Sequence, residues 1–312
     1  MSRHRQLMMA YNVYGGGGEV MIPDNEIWYT SSDGELITPY STSNMGLVSN
    51  TYENGKGVLL FEKPVTFLPY CFMWKSETLT SVTLPHTLTE IGNGAFCIDT
   101  NLYIDELKLD SLKNIGGGAF NSVKIRKIES LGDVTALPEN SNNTGEVFGN
   151  NPVLESVSQK VLDKLTSYYN AFYNCPSLII DELRLPSLSI INGNLGFNKS
   201  TIRRITDLGK ITRLFSNIPY GNTPFGVPET LELVIVPDTV TAVGRYAFNF
   251  AMKYSKIKFL SIVPPSLDQF HGFNAFLGDV YVPDESLEAY KAADGWNTNP
   301  DKIHPLSEYI DN

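Results

Sequence analysis

From residue 79 the chain reads L-T-S-V-T-L-P-H-T-L-T-E-I-G-N-G-A-F. In an extended segment Leu79, Val82 and Leu84 turn toward an interior, while Ser81 and Thr83 project the other way at period two. Pro85 ends the ladder because it has no N–H to donate. Leu88 and Ile91 form a second apolar beat, and the glycines before Phe96 permit a tight bend, after which the ring fills the inside. This pattern predicts a strand, a turn, a second short apolar segment and a buried aromatic residue. One such coil cannot bury its own apolar groups; a stack of them can.

The closing phenylalanine recurs at Phe72, Phe96, Phe120, Phe148, Phe172, Phe197, Phe225, Phe248 and Phe276, in steps of 24, 24, 28, 24, 25, 28, 23 and 28 residues. Those steps fall in the range of a leucine-rich coil. A longer period overlies the short one: I-D-E-L-K-L-D-S-L at 104–112 matches I-D-E-L-R-L-P-S-L at 180–188, and R-K-I-E-S-L-G-D-V from Arg126 matches R-R-I-T-D-L-G-K-I from Arg203. Duplication of a three-coil block accounts for both. Parallel strands near 79–84, 104–109, 180–185 and 231–236 are predicted to align in one sheet, with the phenylalanines stacked behind them.

The L-P-x-x-L/V-T beat followed by I-G-x-x-A-F resembles the BspA-like leucine-rich repeats of bacterial surface proteins, over roughly residues 58 to 283 and about nine coils. The asparagine of L-x-x-L-x-L-x-x-N is missing, so a regular asparagine ladder is not expected. The resemblance implies a β-rich solenoid, a leucine-rich-repeat superhelix with one curved parallel sheet, used for binding and adhesion. It implies no catalytic residue.

The ends differ from the array. Residues 26–40 alternate apolar and polar positions around Asp33-Gly34 and predict a hairpin; Glu53 to Gly57 suggests a second turn. Residues 19–57 therefore read as an N-terminal β cap, and 1–18, with Gly15 to Gly18, as a flexible or partner-bound segment. At the other end, 284–312 reads as a helical cap and tail, with Asp284 as helix N-cap and Gly295 past the helix end.

Composition narrows the function. A net charge of −10 opposes a phosphate backbone, so nucleic acid is not an expected partner. Cys71, Cys97 and Cys175 form no CxxC pair and read as small buried fillers. His4, His86, His271 and His304 are scattered, so no metal site and no cofactor are expected. The apolar run Leu7–Ala10 is too short for a secretory core or a membrane span, so the reading expects either a removed leader or a component of a particle.

The carboxylate pairs Asp105-Glu106 and Asp181-Glu182 bear on a more distant alternative, a right-handed β-helix, which is a scaffold for polysaccharide cleavage. Adjacent strand residues diverge, which argues against a paired-acid site. The chain reads as a non-enzyme. Its outward rows run Ser81, Glu106, Lys127, Ser156, Glu182, Arg204, Leu233, Phe259, and Thr83, Lys108, Glu129, Ser158, Arg184, Thr206, Ile235, Ser261, Tyr281, with Glu106–Lys127 and Glu182–Arg204 as neighbours. Leu233, Ile235, Phe259 and Tyr281 form the predicted partner-binding patch, unless the C-terminal segment covers it through Tyr290 or Trp296. The favoured function is a surface protein presenting its sheet to a protein or glycan; the alternative is a phage or other virion component for host attachment.

Overall fold

The repeating coil organises the structure, a computed structural model that describes residues 21–138, 146–192, 196–214, 230–244, 255–267 and 278–311. The chain winds as a parallel β-solenoid of about eight turns, the number of steps between nine closing phenylalanines. A coil enters on a long strand such as Leu79–Thr83, turns after the proline, and passes through a short strand such as Glu90–Ile91. It then closes on its phenylalanine. The next coil repeats the order with Tyr103–Lys108 and Asn114–Ile115.

Four of the long strands, Tyr103–Lys108, Lys124–Ser130, Ile179–Arg184 and Thr201–Asp207, set their core-facing positions three apart, not strictly alternate. In Lys124–Ser130 the buried side chains are Ile125 and Ile128, and in Thr201–Asp207 they are Ile202 and Ile205. Two consecutive residues between them must leave the core together. They run in parallel register, with Ile104 opposite Ile125 and Ile205 opposite Val234.

The expected single sheet is three consecutive sections. Leu79–Thr83 joins the N-terminal cap; Tyr103–Lys108, Lys124–Ser130 and Ser156–Val157 form a second section; Ile179–Arg184 through Ile303–Pro305 form a third of six strands. The second break has a visible cause. After Val157 the chain enters the helical turn Gln159–Leu162, while Ser158 returns its amide to the Ile128 carbonyl and its hydroxyl to that of Glu129. The strand is cut to two residues. At the first break the coils are linked just before the strands, where the Ser76 amide donates to Asp99 and the Asn101 side chain to the Glu77 carbonyl.

Behind the strands the phenylalanines form a column. Phe72, Phe96, Phe120, Phe148, Phe172 and Phe197 are all fully buried. Phe96 to Phe120, Phe120 to Phe148 and Phe148 to Phe172 stack nearly face to face with centroids 5.3, 5.8 and 5.8 Å apart. Phe225, Phe248 and Phe276 lie outside the described residues. Each ring is held by its backbone: the amides of Phe96, Phe120, Phe148 and Phe172 donate to the carbonyls of Ala119, Val147, Ala171 and Gly196 in the following coil.

Two positions on, Ile98, Ser122, Asn150, Asn174 and Lys199 all have positive φ, between 56° and 66°. Four of them, Ile98, Ser122, Asn150 and Asn174, again donate their amides to the next coil. Asparagine takes that conformation at low cost; isoleucine does not, and the ladder holds it there.

A hydroxyl ladder flanks the short strands. Thr89 donates its Oγ1 to the Thr66 carbonyl, Thr166 to Thr135, Ser189 to Thr166, Thr241 to Thr212 and Ser266 to Thr241. These are the threonines and serines of the recurrent L/V-T beat, so that beat encodes a coil-to-coil bond. In place of a regular asparagine ladder, single residues bridge successive coils: Asn151 donates to the Ile125 carbonyl, Ser200 to that of Cys175 and Ser255 to that of Leu231.

At the start of the array, Glu26–Ser31 pairs antiparallel with Leu79–Thr83 on one side and Lys56–Phe61 on the other. Both its edges are occupied, so residues 35–40 have no strand to pair with and the hairpin expected at Asp33-Gly34 does not form. The hairpin is instead Leu47–Glu53 with Lys56–Phe61, turned by Asn54 and Gly55 at φ 52° and 80°. At the far end, Tyr290 and Trp296 are fully buried against Phe259, with centroids 6.2 and 5.1 Å away. Tyr290 donates to the Ser261 carbonyl and Trp296 to that of Pro265, so both polar tips are satisfied inside. The helix is Leu287–Ala292, and its N-cap residue is Ser286; Asp284 sits in a preceding turn and accepts the Ser307 amide.

Replacing Phe148 by Ala is expected to destabilise the chain by about 3–5 kcal/mol, since the ring is buried between two others and the column cannot collapse around the gap. Urea denaturation followed by circular dichroism measures it, and a loss under about 1 kcal/mol would contradict the column's role.

Candidate functional site

The residues that leave the core in pairs make the outward face of the long strands. Glu106 stands opposite Lys127 and Glu182 opposite Arg204, as expected from the motif. The ion pairs themselves lie one residue earlier. Arg126 grips both oxygens of Asp105 through Nε and Nη2 at 2.6 and 2.9 Å and reaches Glu155 through Nη1 at 3.2 Å. In the duplicated block, Arg203 grips Glu232 through Nε and Nη2 at 3.0 and 2.8 Å and approaches Asp181 at 3.9 Å. Asp105, Arg126 and Glu155 thus recur as Asp181, Arg203 and Glu232, each an acid–arginine–acid row across three coils.

Arg126 holds the Asp105 carboxyl below the usual range, through its hydrogen bonds first. These pairs are solvent-exposed, so each contributes about 0–1 kcal/mol and fixes side-chain direction more than stability. Asp105 and Glu106 are both exposed. The expected divergence of adjacent acids therefore fails here, because the spacing of buried positions sends both outward.

The predicted patch of Leu233, Ile235, Phe259 and Tyr281 is not an exposed apolar surface. Phe259 pairs with Val236 and is a core residue under Tyr290 and Trp296. Its row was set three residues too far along: Lys256 stands opposite Leu233 and Lys258 opposite Ile235, so the positions assigned to Phe259 and Ser261 carry cations. The register sets Leu233 and Lys256 23 residues apart, where Arg204 and Leu233 are 29 apart. Leu233 and Tyr281 do belong to the outward rows, yet both are buried, and Ile235 is half-buried.

The C-terminal segment lies over this stretch. Asp311 meets Arg204 Nη2 at 2.9 and 3.2 Å, the Ile310 carbonyl accepts from Lys256 at 2.9 Å, and Lys258 sits 3.3 Å above the Tyr309 ring. Tyr309 also packs edge-on against Tyr281, 5.1 Å between centroids, and donates its hydroxyl to Asp311. Burial lowers the Lys258 ammonium and raises the Tyr309 phenol to about 12. Sequence reasoning assigned no role to Tyr309 or Asp311. The available signal was charge: two lysines at 256 and 258 facing an acidic, aromatic Glu308-Tyr309-Ile310-Asp311 tail.

The remaining chemistry is structural. Cys71, Cys97 and Cys175 are buried, and burial pushes the thiols of Cys97 and Cys175 to about 12. His86 faces Asp24 and His304 faces Asp279 at the surface. Among the described residues no group of three or more His, Cys, Asp or Glu is placed to hold a metal ion, and no helix is long and apolar enough to cross a membrane.

Residues 66–192 match the BspA type leucine rich repeat region in six copies. No curated protein matches the sequence. Among solved structures, a leucine rich cell surface protein from Faecalibacterium prausnitzii A2-165 is 16% identical, covering 94% of this chain and 96% of its own, with a TM-score of 0.35. A leucine-rich repeat protein from Bacteroides ovatus ATCC 8483 is 19% identical, covering 92% and 100%, with a TM-score of 0.34.

Within the matched residues 66–192 one group is out of keeping. Asp99 is fully buried; its Oδ1 accepts the Ser76 amide at 2.6 Å and its Oδ2 has no partner. Burial raises its carboxyl from 3.8 to about 8. A raised carboxyl favours the folded state fully below about pH 4 and loses that contribution as pH climbs toward 8. Asp99→Asn keeps the acceptor and cannot ionise. Its melting temperature is expected to match the parent's near pH 4 and to exceed it near pH 9; an offset independent of pH would contradict the assignment.

Proposed function

We propose that the chain is a non-catalytic binding and adhesion module of the cell surface, whose outward strand face meets a protein or glycan. The observation that carries this reading is the pair of acid–arginine–acid rows, Asp105–Arg126–Glu155 and Asp181–Arg203–Glu232, kept at matching positions after duplication. A purely structural ladder would not require the same charges, because exposed pairs contribute so little to stability. A rigid backbone ladder beneath them holds the two rows at fixed spacing, which suits a repeating or extended ligand. In this reading residues 19–57 and 284–312 close the ends of the array 58–283, and the face between them does the binding. The family context of the repeats supports a bacterial surface setting over a virion one.

Arg126→Ala with Arg203→Ala tests it on an array of purified matrix glycoproteins and polysaccharides. Binding to the array's best ligand is expected to fall at least about tenfold, with the melting temperature held within a few degrees, since each lost pair contributes under about 1 kcal/mol. Glu90→Arg with Lys113→Glu, exposed on the short-strand side, should leave binding intact. Loss of binding through the second pair and not the first would place the contact on the wrong side for this reading.

A further inference from the structure

The tail that covers the last strands uses one of its anchors incompletely. Arg126 and Arg203 each grip a carboxylate edge-on, through Nε and Nη2 together. Arg204 does not: both Asp311 oxygens lie on Nη2, and its Nε is buried with no hydrogen-bond partner. An arginine fork offers two parallel donors to one carboxylate, and a buried donor left unused is costly. Asp311 is therefore a second-best occupant of this arginine.

The rest of the tail is held by similarly light contacts. Beyond the strand Ile303–Pro305, Ile310 is 69% exposed and Asp311 is exposed. What fastens the segment is the Asp311–Arg204 ion pair, Lys256 on the Ile310 carbonyl, the Tyr309 ring between Lys258 and Tyr281, the Ser307 amide on Asp284 and a 3.9 Å approach of Glu308 to His304. Beneath them lies a surface with the features of a peptide site: Arg204, Lys256 and Lys258 for charge, Leu233 and Tyr281 for apolar contact. Cation–π and exposed ionic contacts of this kind are individually weak, so the segment can lift without unfolding the array.

We propose that the outward face over the strands Thr201–Asp207, Leu233–Val236, Lys256–Phe259 and Asp279–Val282 is a peptide-binding groove, kept shut by the chain's own residues 306–311. The partner that fits is an extended protein segment with a tyrosine two positions before an acidic residue. Its tyrosine takes the place of Tyr309 between Lys258 and Tyr281, and its carboxylate meets Arg204 through Nε and Nη2. The tail competes from within the same chain at an effective concentration on the order of millimolar, so the parent binds such a segment weakly and release of the tail unmasks the site. This rests on the binding-module reading and assigns a second site toward the C-terminal end of the same outward face, centred on Arg204 beside Arg203.

The probe is a fluorescein-labelled synthetic heptapeptide with the sequence of residues 306–312, L-S-E-Y-I-D-N, titrated against the full chain by anisotropy. Tyr309→Ala with Asp311→Asn, both partly or wholly exposed, should raise the peptide's affinity at least about tenfold over the parent, with no change in far-ultraviolet circular dichroism. Adding Arg204→Lys, which keeps the charge and removes the fork, should cancel the gain. A peptide with Ser for Tyr and Asn for Asp should not bind. Equal binding to parent and released chain, binding indifferent to Arg204→Lys, or no binding to either would overturn the groove. If the array ligand still binds through Arg126 and Arg203 in that case, the groove alone fails; if that binding is absent too, the binding-module reading fails with it.

Discussion

Every feature of this chain depends on one arrangement: a buried phenylalanine whose own amide is bonded to the next coil. The ring is fully buried in the core of its coil, and the amide fixes how far each coil is turned relative to the next. Neither would serve alone. Stacked rings without the backbone bonds could slide, and the bonds without the rings would leave a void along the axis. Because the interaction links only neighbours, lengths of 23 to 28 residues are tolerated. The same rule explains duplication of a whole block, since a copied block carries both halves of each contact.

The parts of the fold legible in the sequence were those encoded by a residue's own geometry. Phenylalanine spacing revealed the coil, proline marked the end of the strand, and Asn54-Gly55 marked the hairpin through positive φ. The parts that were not legible depend on which edge is already taken. Residues 26–40 alternate well enough to form a hairpin at Asp33-Gly34, but Glu26–Ser31 has a strand on either side and no room for one more. The break after Val157 likewise follows from a local helical turn that no periodicity announced.

The functional face was legible in part. Opposed charges at Glu106 and Lys127 and at Glu182 and Arg204 follow from register, and register follows from the motif. The salt bridges one position earlier do not, because they require knowing that two consecutive side chains both point outward. Phe259 shows the cost of one misplaced coil: shifted by three residues, a core ring that packs on Trp296 reads as an exposed contact. What conceals Leu233 and Tyr281, a tail returning along the sheet, is a long-range contact between residues about a hundred apart, as from Arg204 to Asp311. Such contacts leave only a faint trace in sequence, here the complementarity of lysines and an acidic tail.

Hydrogen exchange read by NMR tests the phenylalanine ladder most directly. The amides of Phe96, Phe120, Phe148 and Phe172 are each buried and bonded to the following coil, so they are expected to exchange among the slowest in the chain and with closely similar opening free energies. Exchange at these four positions as fast as in exposed turns such as Asp33-Gly34, or in an order unrelated to their place in the column, would contradict it.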